Sequence, residues 1–443
     1  MNWILIFFLI TTPSWALTEN QIRESVRTRF PLIEAAMLKW QAAEADYTAS
    51  KGAFDHQLKF KSRNLIEDEY ENDFFQTSLE RTLPYYGIGL IAGHRQGTGN
   101  FPAYDGKLET SSAGEIFAGI SLPLLQNLST DQVRSNLEIG KLQKLQAGVQ
   151  LELKRNIYVH KALILYFKFL LEKKKYSIKK AVLELAENRN QMVKAKFKSG
   201  DIAKLKLTEN ERSIRKRKAD LLKSEITLNG LTAQLNLYVP EFSPSLDHVQ
   251  LDSMQISKPT LPKAIDFSTL PQTQILELER KKAAVLERLY RQSRLPSLNV
   301  EVLGHKELSQ NDPYDPEALQ IGIKFNYPLE NRKATGKTVS QAYKTGALVK
   351  QQEYAVRELS RSYHYSNRAL SLSLERWENL VKEVENTKTM ANAEKKLWEQ
   401  GSSDLYLVNL REEDVADAEI RRWTTFFEFK QHLLDAKLYL GTI

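Results

Sequence analysis

The chain has 443 residues, of which 42% are hydrophobic and 27% charged, with a formal charge of +8 and no cysteine. The lack of cysteine excludes disulfide bonds and a lipid anchor attached through a thiol. Its 63 Lys and Arg are interleaved with 55 Asp and Glu, which favours solvated helix faces over a nucleic-acid surface. The densest basic cluster, from Ser213 to Leu222, is predicted to be such a solvated face.

The N-terminal segment has the composition of a secretory signal peptide. An apolar core from Trp3 to Ile10 is followed by a proline and by the small residues Ser14 and Ala16. We predict cleavage after Ala16, so that residues 1–16 are a signal peptide and the chain is exported. The alternative is a buried N-terminal helix.

The remainder is predicted to contain two copies of one structural unit. The first copy is residues 17–240, with strands in 55–123, and the second is residues 269–443, with a β-hairpin in 297–328. A proline-rich linker, residues 241–268, separates them. The aligned pairs are Pro31 with Pro271, Pro123 with Pro328, and Gly200 with Gly401. Each copy is predicted to form a helix, strands, a very long helix, a turn and another long helix.

The first copy opens with a predicted helix from Glu19 to Lys51. Two strands are clearly predicted, because apolar and polar residues alternate around Leu58 and from Ile116 to Leu122. The runs 74–83 and 85–94 leave three alternatives open: further strands, an external loop, or a segment packed elsewhere.

The long helices follow the strands. From about residue 130 to 199 the apolar spacing is three, four and seven, typical of packed or supercoiled helices, and the helix would be roughly 100 Å long. Gly200 and Gly401 are predicted to end the two long helices in a left-handed conformation. Ser402, Ser403 or Asp404 would cap the next helix. Two long helical hairpins result, and we call the turns around Gly200 and Gly401 the first tip and the second tip.

The second copy shows the same alternation in its β-hairpin. Leu298, Val300 and Val302 alternate with polar residues, and Ile321, Ile323 and Phe325 do so on the return strand. A soluble antiparallel sandwich would show this pattern too. In lipid, however, open sheet edges cost several kcal/mol for each unpaired amide.

A closed membrane barrel therefore needs strands from several chains. Natural outer-membrane barrels use about eight strands or more, and the firm strands number four in each chain. The predicted lumen-facing residues are Asn299, Glu301, Lys324 and Asn326.

Several motifs resemble, in the same order along the chain, those of the TolC family of outer-membrane efflux and type I secretion channels. They are RFPLIEAAMLKWQAA, KGAFDHQL, SLPLLQN, FKSGDIAKLKLTENE, RLPSLNV and LWEQGSSDLYLVNLREE. The resemblance implies a mainly α fold with membrane β-strands. Three copies would form a homotrimer whose shared β-barrel is continued by a periplasmic α-helical barrel. The resemblance implies a passive duct in the cell outer membrane, surrounded by outer-membrane lipid, for small molecules or protein. The implied partners are a periplasmic adaptor and an inner-membrane pump of RND or ABC type.

The resemblance also implies a gate at the two tips. The corresponding residues are Lys198, Gly200, Asp201, Lys206, Gly401, Ser403, Asp404, Leu407 and Leu410. Many members carry two Asp three residues apart inside the second tip, where this chain has Leu407 and Leu410, and the nearest acids are Asp404, Glu412 and Glu413. Lys206 stands where some members have an Asp of the closing lock. The usual acidic ring and lock are therefore not expected.

The first tip is strongly basic. Its lysines are Lys194, Lys196, Lys198, Lys204 and Lys206. One hypothesis is that the tunnel entrance favours anions. The alternative is that these lysines face outward and contact the adaptor or only water.

No catalytic, cofactor or metal site is predicted. The stretch ENRKATGKT lacks the first glycine of a phosphate loop, since Asn331 stands there, and the seven histidines are scattered. Two other functions stay open: a periplasmic adaptor (membrane fusion) protein and a basic coiled-coil scaffold. An adaptor would need one helical hairpin, whereas this chain has two in tandem.

Overall fold

The computed structural model describes residues 18–66, 70–102, 108–240, 256, 259–262, 264–308 and 317–443. The predicted signal peptide and residues 241–255 of the predicted linker lie outside these ranges. The chain divides into two compact units. The helical unit comprises Met1–Met37, Leu151–Pro271 and Val356–Ile443, and the sheet unit comprises Leu38–Gln150 and Gln272–Ala355.

Helices account for most of the described chain. Their bounds are α1 Glu19–Arg29, α2 Pro31–Lys51, α3 Gln132–Lys198, α4 Lys204–Leu235, α5 Pro271–Gln292, α6 Arg332–Glu399 and α7 Leu405–Tyr439. α3 has 67 residues and α6 has 68, so each is about 100 Å long at 1.5 Å per residue. Within the described ranges, no helix combines the length and the apolar character that crossing a bilayer requires.

The first helix is interrupted, where the sequence predicted a single one from Glu19 to Lys51. Phe30 has extended backbone angles, φ −77° and ψ 122°, and separates α1 from α2. Proline disfavours the helical conformation of the residue before it but fits the first position of a helix. Pro31 therefore ends α1 at Arg29 and begins α2.

The strands of the sheet unit form one antiparallel sheet. Their bounds are β1 Gln57–Leu65, β2 Asn72–Thr82, β3 Gly89–Gly99, β4 Glu115–Pro123, β5 Ser297–Glu307 and β6 Glu317–Asn326. In the described part of the chain the six strands lie in sequence order, each hydrogen-bonded to the next. The runs 74–83 and 85–94 thus contribute to β2 and β3, which settles the three alternatives in favour of further strands.

The core of the helical unit is rich in aromatic side chains. Phe426 and Trp423 of α7 are buried, and their ring centroids lie 5.6 Å apart. Trp377 of α6 lies 5.6 Å from Phe426, and Phe167 of α3 lies 6.0 Å from Phe427. Large rings bury much apolar area at a small cost in rotamer entropy, so this cluster holds α3, α6 and α7 together.

The described end of the predicted linker is part of the same unit. Leu261 and Ile265 pack against a buried cluster that contains Tyr363 and Phe429. The Tyr363 hydroxyl donates a hydrogen bond of 2.7 Å to the carbonyl oxygen of Pro262. The described end of the linker therefore contributes apolar contacts and a partly buried hydrogen bond to the helical unit.

Candidate functional site

Both tips are built on a left-handed glycine. Gly200 has φ +84° and Gly401 has φ +78°. The residue after each glycine donates its N–H to the carbonyl five residues earlier, at 2.9 Å in the first tip and 2.8 Å in the second. This is the Schellman pattern, which satisfies carbonyl groups at the end of a helix. α3 and α6 therefore end at equivalent turns.

The two tips differ at the start of the returning helix. Asp404 caps α7, because its side chain accepts a hydrogen bond of 3.2 Å from the Tyr406 N–H. Ala203 occupies the equivalent position before α4 and makes no side-chain cap. Ser403 instead donates from its hydroxyl to Glu394 of α6.

An ion pair joins the two tips. Nζ of Lys206, in the first turn of α4, lies 2.5 Å from Oδ2 of Asp404. The hydrogen bond from Lys206 lowers the pKa of Asp404 below its usual value, and the hydrogen bond from the Tyr406 N–H has a smaller effect in the same direction. The same bond to Asp404 raises the pKa of Lys206. One carboxylate thus caps a helix and binds a lysine of the other hairpin.

A small apolar cluster lies beside this ion pair. Val193, Trp398 and Val408 are buried together, with Ile202 packed against them. A groove of about 510 Å³ adjoins the cluster and includes Trp398 in its wall. The tips are therefore packed on each other through both apolar and charged contacts.

Leu407 and Leu410 lie on the exposed side of α7. They are 38% and 39% exposed, whereas Leu405 and Val408 beside them are buried. A spacing of three residues places Leu407 and Leu410 on one face of the helix. This face therefore carries leucine at both of the positions that the sequence comparison matched to the two Asp of an acidic ring.

A buried ion cluster lies farther along the hairpins. Arg189 of α3 donates to both carboxylate oxygens of Glu412, at 2.6 and 2.9 Å, and to the side-chain oxygen of Asn409 at 2.8 Å. Arg217 of α4 donates to Glu412 at 3.1 Å and to the carbonyl of Val182 at 3.0 Å. The arginine side chains are only 7% and 5% exposed. Two guanidinium groups therefore share one carboxylate.

This cluster differs from the sequence-based expectation. Arg217 belongs to the basic stretch from Ser213 to Leu222, for which the sequence predicts a solvated helix face. Most of that stretch is exposed or half-exposed, but Arg217 points at Glu412. Helical spacing does not reveal this, because the partner carboxylate lies 195 residues away in the sequence.

The basic residues of the first tip have separate surroundings. Lys206 binds Asp404, and the Lys196 ammonium lies 4.8 Å from the centre of the Trp398 ring. The exposed members are Lys194, Lys198 and Lys204. The tip therefore presents a smaller exposed basic surface than its five lysines suggested.

The sheet has one polar and one apolar face. Asn299 is paired with Lys324, and Asn326 is paired with Ser297, so these residues share a face, and Glu301 lies two residues from Asn299 on the same strand face. The opposite face carries large exposed apolar side chains. They include Leu58 at 76%, Phe60 at 69%, Leu319 at 69%, Ile321 at 64% and Ile323 at 72% exposure.

The polar face is closely packed around β3. A Cβ added to Gly93 would lie 2.2 Å from the carbonyl oxygen of Thr77 and 2.8 Å from the Phe117 ring. On the same face Arg95 forms an ion pair with Glu115, and both side chains are largely buried. Phe117 and Glu115 on this face are buried, although the six strands form a single sheet.

The described residues contain no group of three or more His, Asp or Glu side chains that could hold a metal ion. No protein-family model matches the chain, and no curated protein matches it either.

Several solved structures do superpose on it. CusC, described in relation to folding and transmembrane channel formation, matches with a TM-score of 0.70 at 13% identity, over 96% of this chain and 92% of CusC. The open state of the outer-membrane channel MtrE of Neisseria gonorrhoeae gives 0.69 at 13% identity, over 96% and 88% of the two chains. The outer-membrane protein VceC of Vibrio cholerae gives 0.68 at 11% identity, over 96% of each chain.

The chain has a TolC-like fold. The resemblance inferred from sequence motifs is thereby confirmed for the fold, as is the expected combination of long helices with an antiparallel sheet. The identities of 11–13% lie far below the level at which a shared fold implies shared chemistry. The function of the TolC-like chain therefore depends on its own sheet faces and helix tips.

Proposed function

We propose that this TolC-like chain is an outer-membrane channel of a tripartite efflux or type I secretion system. Three copies would pool their sheets into one membrane barrel and continue it as a helical duct in the periplasm. The duct would carry small molecules or protein passively, while an inner-membrane pump supplies the energy. A periplasmic adaptor would connect the pump to the helix tips.

The exposed apolar face of the sheet carries this proposal. Large apolar side chains such as Leu58, Ile321 and Ile323 are more than half exposed on it. A soluble protein rarely leaves so contiguous an apolar surface uncovered. The described strands all belong to one sheet, so the second layer of a soluble sandwich is not found among them. Lipid is the occupant that fits this face.

The polar face supports the same proposal. Asn299, Glu301, Lys324 and Asn326 lie on the polar face, which would form the lumen of a closed barrel. Alternation of apolar and polar residues with a period of two is the pattern of membrane barrels. We therefore assign these four residues to the lumen.

We propose that the two tips form the gate of the duct. The ion pair between Lys206 and Asp404 ties the first hairpin to the second, and the cluster around Trp398 supports it. Breaking this pair would remove the charged contact between the two tips. Gly200, Asp201, Gly401 and Ser403 shape the turns, while Leu407 and Leu410 supply an apolar surface near the opening.

A direct experiment tests the channel function. The protein is extracted from the cell envelope with detergent, sized, and inserted into a planar lipid bilayer for single-channel recording. We expect particles of three chains that conduct ions. Protein that stays monomeric, water-soluble and non-conducting would contradict the proposal.

Ion selectivity tests the hypothesis of an anion-favouring entrance. We expect reversal potentials that indicate anion preference, and a reduced preference when Lys198 and Lys204 are both replaced by Gln. Both lysines are exposed at the first tip. Cation-selective currents in the parent protein would refute the hypothesis, leaving the lysines as outward-facing contacts.

A further inference from the structure

The second and third strands are full members of the sheet. β2 pairs with β1 along nine residues, and β3 continues the pairing from β2 to β4. Every described strand has between 9 and 11 residues. A tilted strand needs about 9–11 residues to cross a bilayer. All six strands therefore have the length of membrane strands.

One apolar row of the sheet crosses all six strands. One row of directly paired residues runs through Leu58, Leu79, Ala92, Ala118, Gly304 and Leu319. No member of this row is polar. The neighbouring row on the other face contains Glu80, Ile91, Gly119, Leu303 and Gln320. β2 and β3 thus continue the apolar row of the strands beside them, while Thr77 and His94 make the next row of the same face more polar.

The two outer strands are compatible with each other. β1 pairs only with β2 and β6 only with β5 among the described strands, so each has one open edge. Successive strands alternate in direction, and with six strands β1 and β6 run in opposite directions. β6 of one copy can therefore pair antiparallel with β1 of the next, which keeps a closed ring fully antiparallel.

We propose that all six strands enter the membrane, so that three copies close a barrel of 18 strands. This rests on the channel function and the three-chain assembly proposed above. At a strand spacing of about 4.8 Å and a tilt of about 40°, such a barrel is about 36 Å across between backbones. Four strands from each chain would give about 24 Å by the same geometry.

The extra hairpin would therefore widen the barrel. Barrels of about 16–18 strands hold an aqueous channel, whereas those of about eight are filled by side chains. We infer that the barrel admits hydrated cargo too bulky for a cylinder built from four strands of each chain.

Single cysteine variants test whether β2 crosses the membrane, because the chain has no cysteine of its own. Leu79→Cys lies on the apolar face of β2 and Glu80→Cys on its polar face. Leu319→Cys and Gln320→Cys on β6 are matched controls, because they lie in the same two rows. Each variant is assembled in lipid vesicles and treated with a charged, water-soluble maleimide.

We expect Glu80→Cys and Gln320→Cys to be labelled through the lumen, and Leu79→Cys and Leu319→Cys to be protected by lipid. Labelling of Leu79→Cys as fast as Glu80→Cys, with the β6 controls behaving as expected, would overturn the six-strand barrel alone. Equal labelling of both β6 controls would instead overturn the proposed membrane sheet, and with it the channel function.

The number of chains in the particle is the second measurement. Light scattering in detergent is expected to give three chains, hence 18 strands. Two chains would close only twelve strands and would overturn the proposal even if the labelling pattern held.

Discussion

Among single residues, Glu412 is expected to have a large effect on the stability of the helical unit. It binds Arg189 and Arg217, two side chains that are almost completely buried. Removing one partner from a buried ion cluster is expensive because the remaining charges lose their compensation while staying away from water. The cluster connects α3, α4 and α7, so its loss affects both hairpins.

The first prediction concerns this carboxylate. Glu412→Gln should lower the free energy of unfolding by about 3–5 kcal/mol, because it leaves two buried guanidinium groups without a counter-charge. The measurement is the midpoint of thermal unfolding of detergent-purified protein, followed by circular dichroism. Glu413→Gln is the matched control: Glu413 pairs with Lys216 at 3.0 Å, but the two side chains are 36% and 60% exposed. The control should cost about 0–1 kcal/mol. Equal effects would show that burial of the arginines is not what makes Glu412 important.

The second prediction concerns pH and the pair between Lys206 and Asp404. Asp404 has a lowered pKa, so its contribution to stability is present above its usual value of 3.8 and is lost as the pH falls through the pKa in the folded state. Lys206 has a raised pKa, so its contribution is present below 10.5 and is lost as the pH rises through the folded-state pKa. The contribution of the pair to stability should therefore be present between these two ordinary values, 3.8 and 10.5, and be lost in stronger acid and stronger base.

Two substitutions at Asp404 separate its charge from its cap. Asp404→Asn keeps the capping oxygen but removes the charge. Its thermal midpoint should therefore differ from that of the parent at neutral pH and converge with it in strong acid, where Asp404 is protonated. Ala removes the cap as well, and Asp404→Ala should lose about a further 1 kcal/mol at every pH. A difference between parent and Asn variant that persists unchanged into strong acid would contradict the ion-pair account.

Among the elements, the stability of the long helices depends on their glycines, which are required at some positions and only tolerated at others. Gly200 and Gly401 have positive φ, and nothing lies within 4 Å of a Cβ built on either. The conformation, rather than crowding, therefore requires glycine there. Gly230 also has free space around its Cβ position, but it lies inside α4 with no positive φ.

The third prediction is that alanine has opposite effects at these positions. Gly200→Ala and Gly401→Ala should each destabilise the protein by about 1–2 kcal/mol, because the left-handed conformation is unfavourable with a Cβ. Gly230→Ala should stabilise α4 by about 0.5–1 kcal/mol, because alanine loses less backbone entropy in a helix. Thermal midpoints of the three variants check the signs. Stabilisation at Gly200 would show that the turn does not need its left-handed residue.

For the whole molecule, assembly depends on which face of the sheet a substitution changes. The apolar face lies toward lipid in the proposed barrel and the polar face toward water. The same strand, β6, presents Ile321 and Ile323 on one side and Asn326 on the other. It therefore offers substitutions on both faces within a few residues.

The fourth prediction compares these two faces. Ile321→Asp or Ile323→Asp should each disfavour the inserted barrel by about 1–4 kcal/mol, because a carboxylate would face hydrocarbon. Asn326→Ser should be tolerated, since the lumen is hydrated. The measurement is the fraction of detergent-resistant oligomer recovered from outer membranes. Equal recovery of all three variants would count against a membrane barrel.

Local patterns allowed much of the fold to be predicted. A period of two identified β1, β4, β5 and β6, and helical periods without proline identified α3, α4, α6 and α7. These features can be recognised in the sequence because backbone conformation is governed by residues a few positions apart. The break at Phe30 was missed, although the local effect of Pro31 could have revealed it.

The sequence by itself determined the long hairpins, their left-handed turns and the two-sided strands, since each follows from neighbouring residues. Only the tertiary structure decided that β2 and β3 join the sheet, that Arg217 is buried against Glu412, and that Lys206 binds Asp404. These last two pairs join residues 195 and 198 positions apart. Contacts at such separations depend on how the elements pack, and no local periodicity encodes them.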